Sequence, residues 1–152
     1  MENYYTPKIE EFHEGFEYEQ KNSFGDGTVK TVEQYNLAGW EKRIFGLDIY
    51  PYLNRTMTGR NSKNLPSAVR VKYLDGDDIE SLGWKKRLGT SIEIYYLNWD
   101  EEEGNNKGIW LEKKGEMYTI LNAMTKINFM QFWGFIKNKS ELKKLMQQLN
   151  IL

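Results

Sequence analysis

The chain has 152 residues, a length typical of one domain that can bury a sizeable core. It contains no cysteine, which excludes disulfide bonds and cysteine-ligated zinc. The formal net charge is −1, but the charged side chains are distributed unevenly along the chain. Residues 1–41 contain nine acidic and three basic side chains, whereas residues 42–87 contain ten basic and five acidic ones. The basic middle third either neutralises the acidic first third or faces an anionic partner.

The first predicted elements are short. Thr6 and Pro7 are typical of the start of a helical turn, and Gly15 is expected to end it. Residues 16–19 alternate between aromatic and acidic side chains, which indicates a strand.

A turn signal follows. Gly25-Asp26-Gly27 before residues 29–35 predicts a β-hairpin, and residues 40–45 are predicted to form another short strand. Residues 50–66 show no clean periodicity. Loops of this length in compact domains are usually functional or disordered, so this segment is either a ligand-binding loop or a connector.

The segment 69–84 has the clearest local pattern of the chain. Its first five positions alternate between apolar and basic residues, as in a half-buried strand. Asp77 is followed three residues later by Glu80, which predicts a capping box and a helix beginning at Asp78. Gly83 can adopt the left-handed conformation that ends such a helix.

The last third predicts strands and then a helix. Four candidate strands are separated by turn-rich joints: 92–99, 109–113, 117–122 and 127–136. Such short, successive strands favour antiparallel pairing in a meander. Ser140 is predicted to cap a terminal helix with an apolar stripe at i, i+3, i+4 and i+7: Leu142, Leu145, Met146 and Leu149.

Burial of that stripe outweighs the marginal stability of a short helix, so the helix is expected to dock on the sheet. The predicted fold class is therefore α+β in one domain spanning 1–152. It consists mainly of an antiparallel β-meander or a partly closed barrel, with short helices and a docked C-terminal helix. No run of residues is apolar and long enough to span a bilayer, so no membrane partner is predicted.

Basic and aromatic side chains gather in the middle third of the chain. The predicted ligand-binding set is Arg43, Arg55, Arg60, Arg70, Trp40, Tyr50 and Tyr52. Arginine pairs with phosphate and aromatic faces stack on bases, so this set indicates a phosphate-bearing small molecule. Core packing is the alternative interpretation for most of the aromatic residues.

Catalytic signatures are missing. His13 is the only histidine; beside Glu10 and Glu14 it has the chemistry of a general base or a metal ligand, but a structural or surface role is favoured. No Gly-x-Ser-x-Gly motif and no phosphate-binding loop occur. We therefore predict no catalytic residue, no metal and no cofactor.

Three motifs together cover roughly a third of the chain. They are YTPKIEEFHEGFEYE at 5–19, VRVKYLDGDDIESLGW at 69–84 and IKNKSELKKLMQQLNI at 136–151. In these motifs the sequence resembles a family of short uncharacterised proteins from phages and prophages of Bacteroidetes-type bacteria. The resemblance brings no activity or catalytic residue with it. It implies a phage-encoded protein that acts in the cytoplasm of the host bacterium.

The leading hypothesis is a non-enzymatic accessory protein that binds and sequesters a host molecule, for example a nucleotide signal of anti-phage defence. A host defence protein is the other candidate partner, and a homo-oligomer is compatible with either. Two alternatives remain open at this point. One is a structural or assembly protein of the virion, and the other is a single-stranded nucleic-acid-binding protein.

Overall fold

The computed structural model describes residues 3–21, 33, 37–46, 69–98, 108–123 and 129–151. The chain divides into two compact units, 1–73 and 74–152. The predicted hairpin turn at residues 25–27 and the aperiodic segment 50–66 lie outside the described residues.

The first unit is built on a four-stranded antiparallel sheet. Its strands are β1 (Tyr4–Tyr5), β2 (Glu17–Lys21), β3 (Trp40–Ile44) and β4 (Val69–Lys72). Their order in the sheet is β1-β4-β2-β3, so β2 pairs with both β3 and β4. The prediction that this strand forms a hairpin with residues 29–35 was therefore wrong, because both sides of β2 are occupied by other strands. The strands predicted at 16–19, 40–45 and 69–73 are confirmed, whereas the sequence pattern did not predict β1.

One face of this sheet holds the core of the first unit. Six buried side chains form it: Phe12, Phe16, Tyr18, Phe45, Val69 and Val71. The Phe12 ring meets three of the other rings with centroids 4.9–5.4 Å apart. The alternation of β4 places Val69 and Val71 in this core, and Arg70 and Lys72 project to the opposite face of the sheet.

The predicted helical turn near Pro7 is a 3₁₀ helix at Ile9–Glu11, which begins after Lys8 and not at Thr6.

The second unit contains α1 (Gly76–Ser81), a five-stranded antiparallel sheet and α2 (Lys139–Gln148). The strands are β5 (Lys85–Lys86), β6 (Glu93–Leu97), β7 (Ile109–Lys114), β8 (Met117–Asn122) and β9 (Phe129–Phe135). They follow one another in the sheet as β5-β6-β7-β8-β9, which confirms the predicted meander.

The C-terminal helix α2 contributes to the core of this unit, as its apolar stripe predicted. Leu142 and Met146 are fully buried, and Leu145 and Leu149 pack against the same cluster. Inside the cluster the indole Nε1–H of Trp84 donates to the Sδ atom of Met146 at 3.3 Å. The docked helix therefore covers one face of the five-stranded sheet.

Both helices begin at earlier residues than the sequence predicted. Asp75 caps α1, since its carboxylate accepts from the Asp78 backbone N–H at 3.0 Å, and the helix begins earlier than predicted. Asn138 caps α2 by accepting from the Glu141 backbone N–H at 2.9 Å, so the prediction of Ser140 was wrong. In both cases the capping residue directly precedes the helix and has extended backbone geometry, as an N-cap requires.

The helix-ending role of Gly83 is confirmed by its φ of +93°. The two sheets and the helices agree with the predicted α+β class. Over the described ranges both sheets are open, so the structure shows no closed barrel.

Candidate ligand-binding site

One face of the four-stranded sheet collects cationic and aromatic side chains. Glu19 of β2 lies directly opposite Arg70 of β4, and Lys21 of β2 lies opposite Trp40 of β3. Residues that oppose each other in an antiparallel sheet share a face, and so do residues two apart on one strand. These four side chains therefore project to the same side, away from the core of the first unit.

Tyr4 completes this group, which we call the Arg70 cluster: Tyr4, Glu19, Lys21, Trp40 and Arg70. Tyr4 lies in β1 opposite Lys72, whose side chain is on the same face as that of Arg70. The guanidinium carbon of Arg70 lies 3.6 Å from the Tyr4 ring centroid and 4.1 Å from the Trp40 ring centroid. The cation is thus in contact with two aromatic rings.

The ion pair between Arg70 and Glu19 uses only one of the two carboxylate oxygens of Glu19. Arg70 donates from Nε at 2.8 Å and from Nη2 at 2.7 Å, and both bonds end on the same Glu19 oxygen, Oε2. Within the described ranges, the second carboxylate oxygen accepts a long bond of 3.4 Å from the Tyr4 hydroxyl. The contacts of Arg70 with Glu19 use Nε and Nη2 and leave out Nη1.

Lys21 is the second cation of the cluster and it is buried, with 7% of its surface exposed. Its Nζ donates to the Ala38 carbonyl at 2.6 Å and lies 4.8 Å from the Trp40 ring centroid. Burial lowers the pKa of this ammonium, and the positive charge of Arg70 lowers the pKa further.

The charge balance of the cluster follows directly. Lys21 and Arg70 supply two positive charges, and Glu19 supplies one negative charge. Counted alone, these three side chains have a formal charge of +1, and the Tyr4 and Trp40 rings beside them are partly buried. Arginine and aromatic side chains in contact can bind an anionic group and stack a planar one, which is the combination that a nucleotide presents.

The structure places the predicted site residues in three different situations. Trp40 and Arg70 are in contact, with the guanidinium carbon 4.1 Å from the ring centroid. Arg43 does not join them, because it lies opposite Tyr18 on the other face of the sheet and pairs with Glu41 at 2.7 Å. The remaining four predicted residues lie outside the described ranges: Arg55, Arg60, Tyr50 and Tyr52.

Sequence reasoning missed Tyr4, Glu19 and Lys21. Glu19 was recognised as part of a strand, but its partner on β4 is 51 positions away, and no local pattern reports that pairing. The period-2 alternation through Glu17, Glu19 and Lys21 is the one signal that these side chains share a face.

The single histidine, His13, makes local contacts. The ring of His13 packs edge-on against Phe16 at 5.6 Å, and its Nδ1 lies 3.0 Å from the Glu14 carbonyl oxygen. The part of the chain that the structure describes contains no group of three acidic or histidine side chains able to hold a metal ion.

The second unit has an open depression of about 320 Å³ near the turn between β7 and β8. Its lining includes Glu93 and Lys113, which form an ion pair of 3.5 Å, and Glu93 also pairs with Lys86 at 3.5 Å. The described residues that line the depression include no aromatic ring, so it lacks the stacking surface of a nucleotide site and is a weaker candidate than the Arg70 cluster.

Comparison with protein-family models, with curated proteins and with solved structures finds no match to this chain. Within the described ranges, the helices are all too short or too polar to cross a membrane.

Proposed function

We propose that this protein is a non-enzymatic binding protein that holds a phosphate-bearing small molecule on the Arg70 cluster. Its role is that of a phage-encoded accessory protein that sequesters a host nucleotide in the bacterial cytoplasm. The single observation that supports the proposal most strongly is the placement of the Arg70 guanidinium against two aromatic rings, Tyr4 and Trp40, with Lys21 against the Trp40 ring as well.

The Arg70 guanidinium is the group on which this proposal rests. It contacts the Tyr4 and Trp40 rings and donates to one oxygen of Glu19, so its charge is held in a fixed position on this face of the sheet. A phosphate supplies negative charge and several acceptor oxygens to such a cation. The flat surface of Trp40 offers a place for the base of the same ligand to stack.

Isothermal titration calorimetry against a panel of cyclic nucleotides, ADP-ribose-type nucleotides and inorganic phosphate tests the proposal. We expect at least one nucleotide to bind more tightly than inorganic phosphate, because a nucleotide uses both the cations and the ring. The absence of heat from every member of the panel would contradict the proposal.

Two variants locate the binding site. Lys21→Met keeps the apolar stem but removes the charge, and we expect about a tenfold or greater loss of affinity, as for one charge-assisted hydrogen bond. Lys143→Met removes the same charge at an exposed position of α2 in the other unit, and it is the matched control. Equal losses in the two variants would point to non-specific attraction by net charge.

A single-stranded oligonucleotide belongs in the same panel. Binding of the oligonucleotide alone, with an affinity that falls steeply as salt is added, would assign the protein to nucleic-acid binding instead. Mass spectrometry of purified phage particles addresses the third alternative. A sequestering protein is expected to be absent from the particles, whereas a virion protein would be present.

A further inference from the structure

The two edges of the five-stranded sheet differ in length and charge. At one edge, β5 has two residues and both are lysines, Lys85 and Lys86. At the other edge, β9 has seven residues, and none of them is charged. Natural sheets protect their edges with short strands and with lysine, because an open edge is a template for further strand pairing. The β5 edge has both protections and the β9 edge has neither.

The side chains of β9 are also unusually exposed. Large apolar residues along it leave more than half of their surface open: Phe129 58%, Met130 64%, Trp133 67% and Phe135 65%. A β-bulge falls where Ile120 pairs with Phe132 and the next residue of β8, Leu121, pairs with Met130, so Gln131 is the extra residue. Clustered exposed apolar surface of this kind marks interaction sites.

The bulge determines which of these side chains share a face. Trp133 lies opposite Thr119, Phe135 opposite Met117, and Met130 opposite Leu121. These three β8 residues alternate along their strand and project to the face that α2 does not cover, since the intervening Tyr118 and Ile120 are in the core. Met130, Trp133 and Phe135 therefore form one apolar row along the edge.

The backbone hydrogen-bonding groups of β9 are the second relevant feature of this edge. An antiparallel strand directs alternate N–H and C=O groups to its two sides, and β8 occupies one side only. Within the described ranges no strand pairs with the outer side of β9. On each side of the bulge at Gln131, the edge thus offers hydrogen-bonding groups next to the row of apolar side chains.

We propose that this edge is a homodimer interface, in which β9 pairs antiparallel with β9 of a second copy of the chain. A second copy suits the edge because it brings the same uncharged strand, so no like charges oppose each other across the twofold axis. Nucleic acid does not suit it, because β9 has no cation to meet a phosphate. The dimer joins the two five-stranded sheets into one continuous sheet and brings the two apolar rows together.

Sedimentation equilibrium of the full chain tests the proposal. We expect a species of twice the 18.1 kDa chain mass for the native sequence. Trp133→Lys places a charge in the apolar row and is expected to raise the dimer dissociation constant by about tenfold or more. Leu88→Lys adds the same charge at a position of the same unit that is 86% exposed, and it should leave the dissociation constant unchanged. Equal weakening by both variants would overturn the proposal.

Hydrogen exchange of the native chain provides a measurement that needs no variant. In a β9-paired dimer, the outward-facing amides of β9 gain protection as the protein concentration rises, and the amides of β5 do not. A chain that stays monomeric up to a concentration of about 0.1 mM would contradict the proposal, because association would then be too weak for a specific dimer. So would protection of β9 that is independent of concentration, because another segment of the same chain would then cover the edge.

Discussion

Arg70 donates to Glu19 from Nη2 at 2.7 Å and from Nε at 2.8 Å, and this contact joins strands β4 and β2 across 51 positions of sequence. A second Arg–Glu pair in the same sheet, Arg43 with Glu41, has the same Nη2–O distance of 2.7 Å. The two pairs differ in exposure: the side chains are 28% and 16% exposed in the first and 51% and 48% exposed in the second. Because the two pairs have the same distance and differ in exposure, comparing their variants measures how burial affects the contribution of an Arg–Glu pair to stability.

We expect Arg70→Lys to lower the free energy of unfolding by about 1 kcal/mol, because lysine cannot make the two-point bond or stack between Tyr4 and Trp40. Arg43→Lys should change it by less than about 0.5 kcal/mol, since an exposed pair is screened by water. Urea denaturation of both variants is the measurement. Equal effects would show that the Arg70 cluster has no special contribution to stability.

Ligand binding should depend on pH through Lys21. Its pKa in the folded protein lies below the ordinary 10.5, so the ammonium loses its proton at a lower pH than an exposed lysine does. The affinity for a phosphate-bearing ligand should therefore fall as pH rises through that lowered pKa. Calorimetry over a series of alkaline buffers measures this fall. The Lys21→Met variant is the control, and a pH dependence that persists in it would assign the titration to another group.

Alkaline conditions should destabilise the second unit through Tyr118. Burial, and then the negative charge of Glu93, raise the pKa of this phenol from 10.0 to about 12. The unfolded chain loses the proton first, so stability is complete below pH 10 and decreases as pH rises towards 12. The expected loss in the free energy of unfolding is about 2–3 kcal/mol.

Denaturation at stepped alkaline pH, followed by tyrosinate absorbance, tests this dependence. Tyr118→Phe removes the titrating group and should flatten the curve, although Tyr95 contributes a smaller effect of the same sign because burial raises its pKa as well. An unchanged slope in the variant would contradict the assignment to Tyr118.

The hydroxyl of Tyr95 and the first residue of α1 should be energetically coupled. The Tyr95 hydroxyl is buried without a hydrogen-bond partner in the described part of the chain, and a Cβ atom on Gly76 would lie 3.1 Å from it. Tyr95→Phe should therefore leave the free energy of unfolding unchanged or raise it by up to about 1 kcal/mol, since a buried polar atom is removed and Lys86, the nearby cation, makes no hydrogen bond of good geometry with the hydroxyl.

A double-mutant cycle measures the coupling. Gly76→Ala should be destabilising in the native background and less so in the Tyr95→Phe background, where the hydroxyl oxygen is gone. Thermal denaturation of the two single variants and the double variant gives the interaction energy. Strict additivity would show that α1 shifts freely to accommodate the added methyl group.

The sequence by itself determined the local elements. The alternation of Val69 and Val71, the φ of Gly83 and the apolar stripe of α2 all follow from patterns a few residues long, and the structure confirms them. Short turn-linked strands predicted the meander for the same reason, because neighbouring strands in sequence pair with each other at low cost in chain entropy. Helix starts were less well determined, because several residues near each start can cap.

Only the tertiary structure decided which distant residues meet. The partnership of Glu19 with Arg70, the separation of Arg43 from that cluster and the bulge that turns Met130 towards Trp133 all depend on strand register. Register is a property of two strands together, and a shift of one residue moves every side chain to the opposite face. A single sequence specifies the period of each strand, but the energies that choose its partner arise only when the packed sheet is formed.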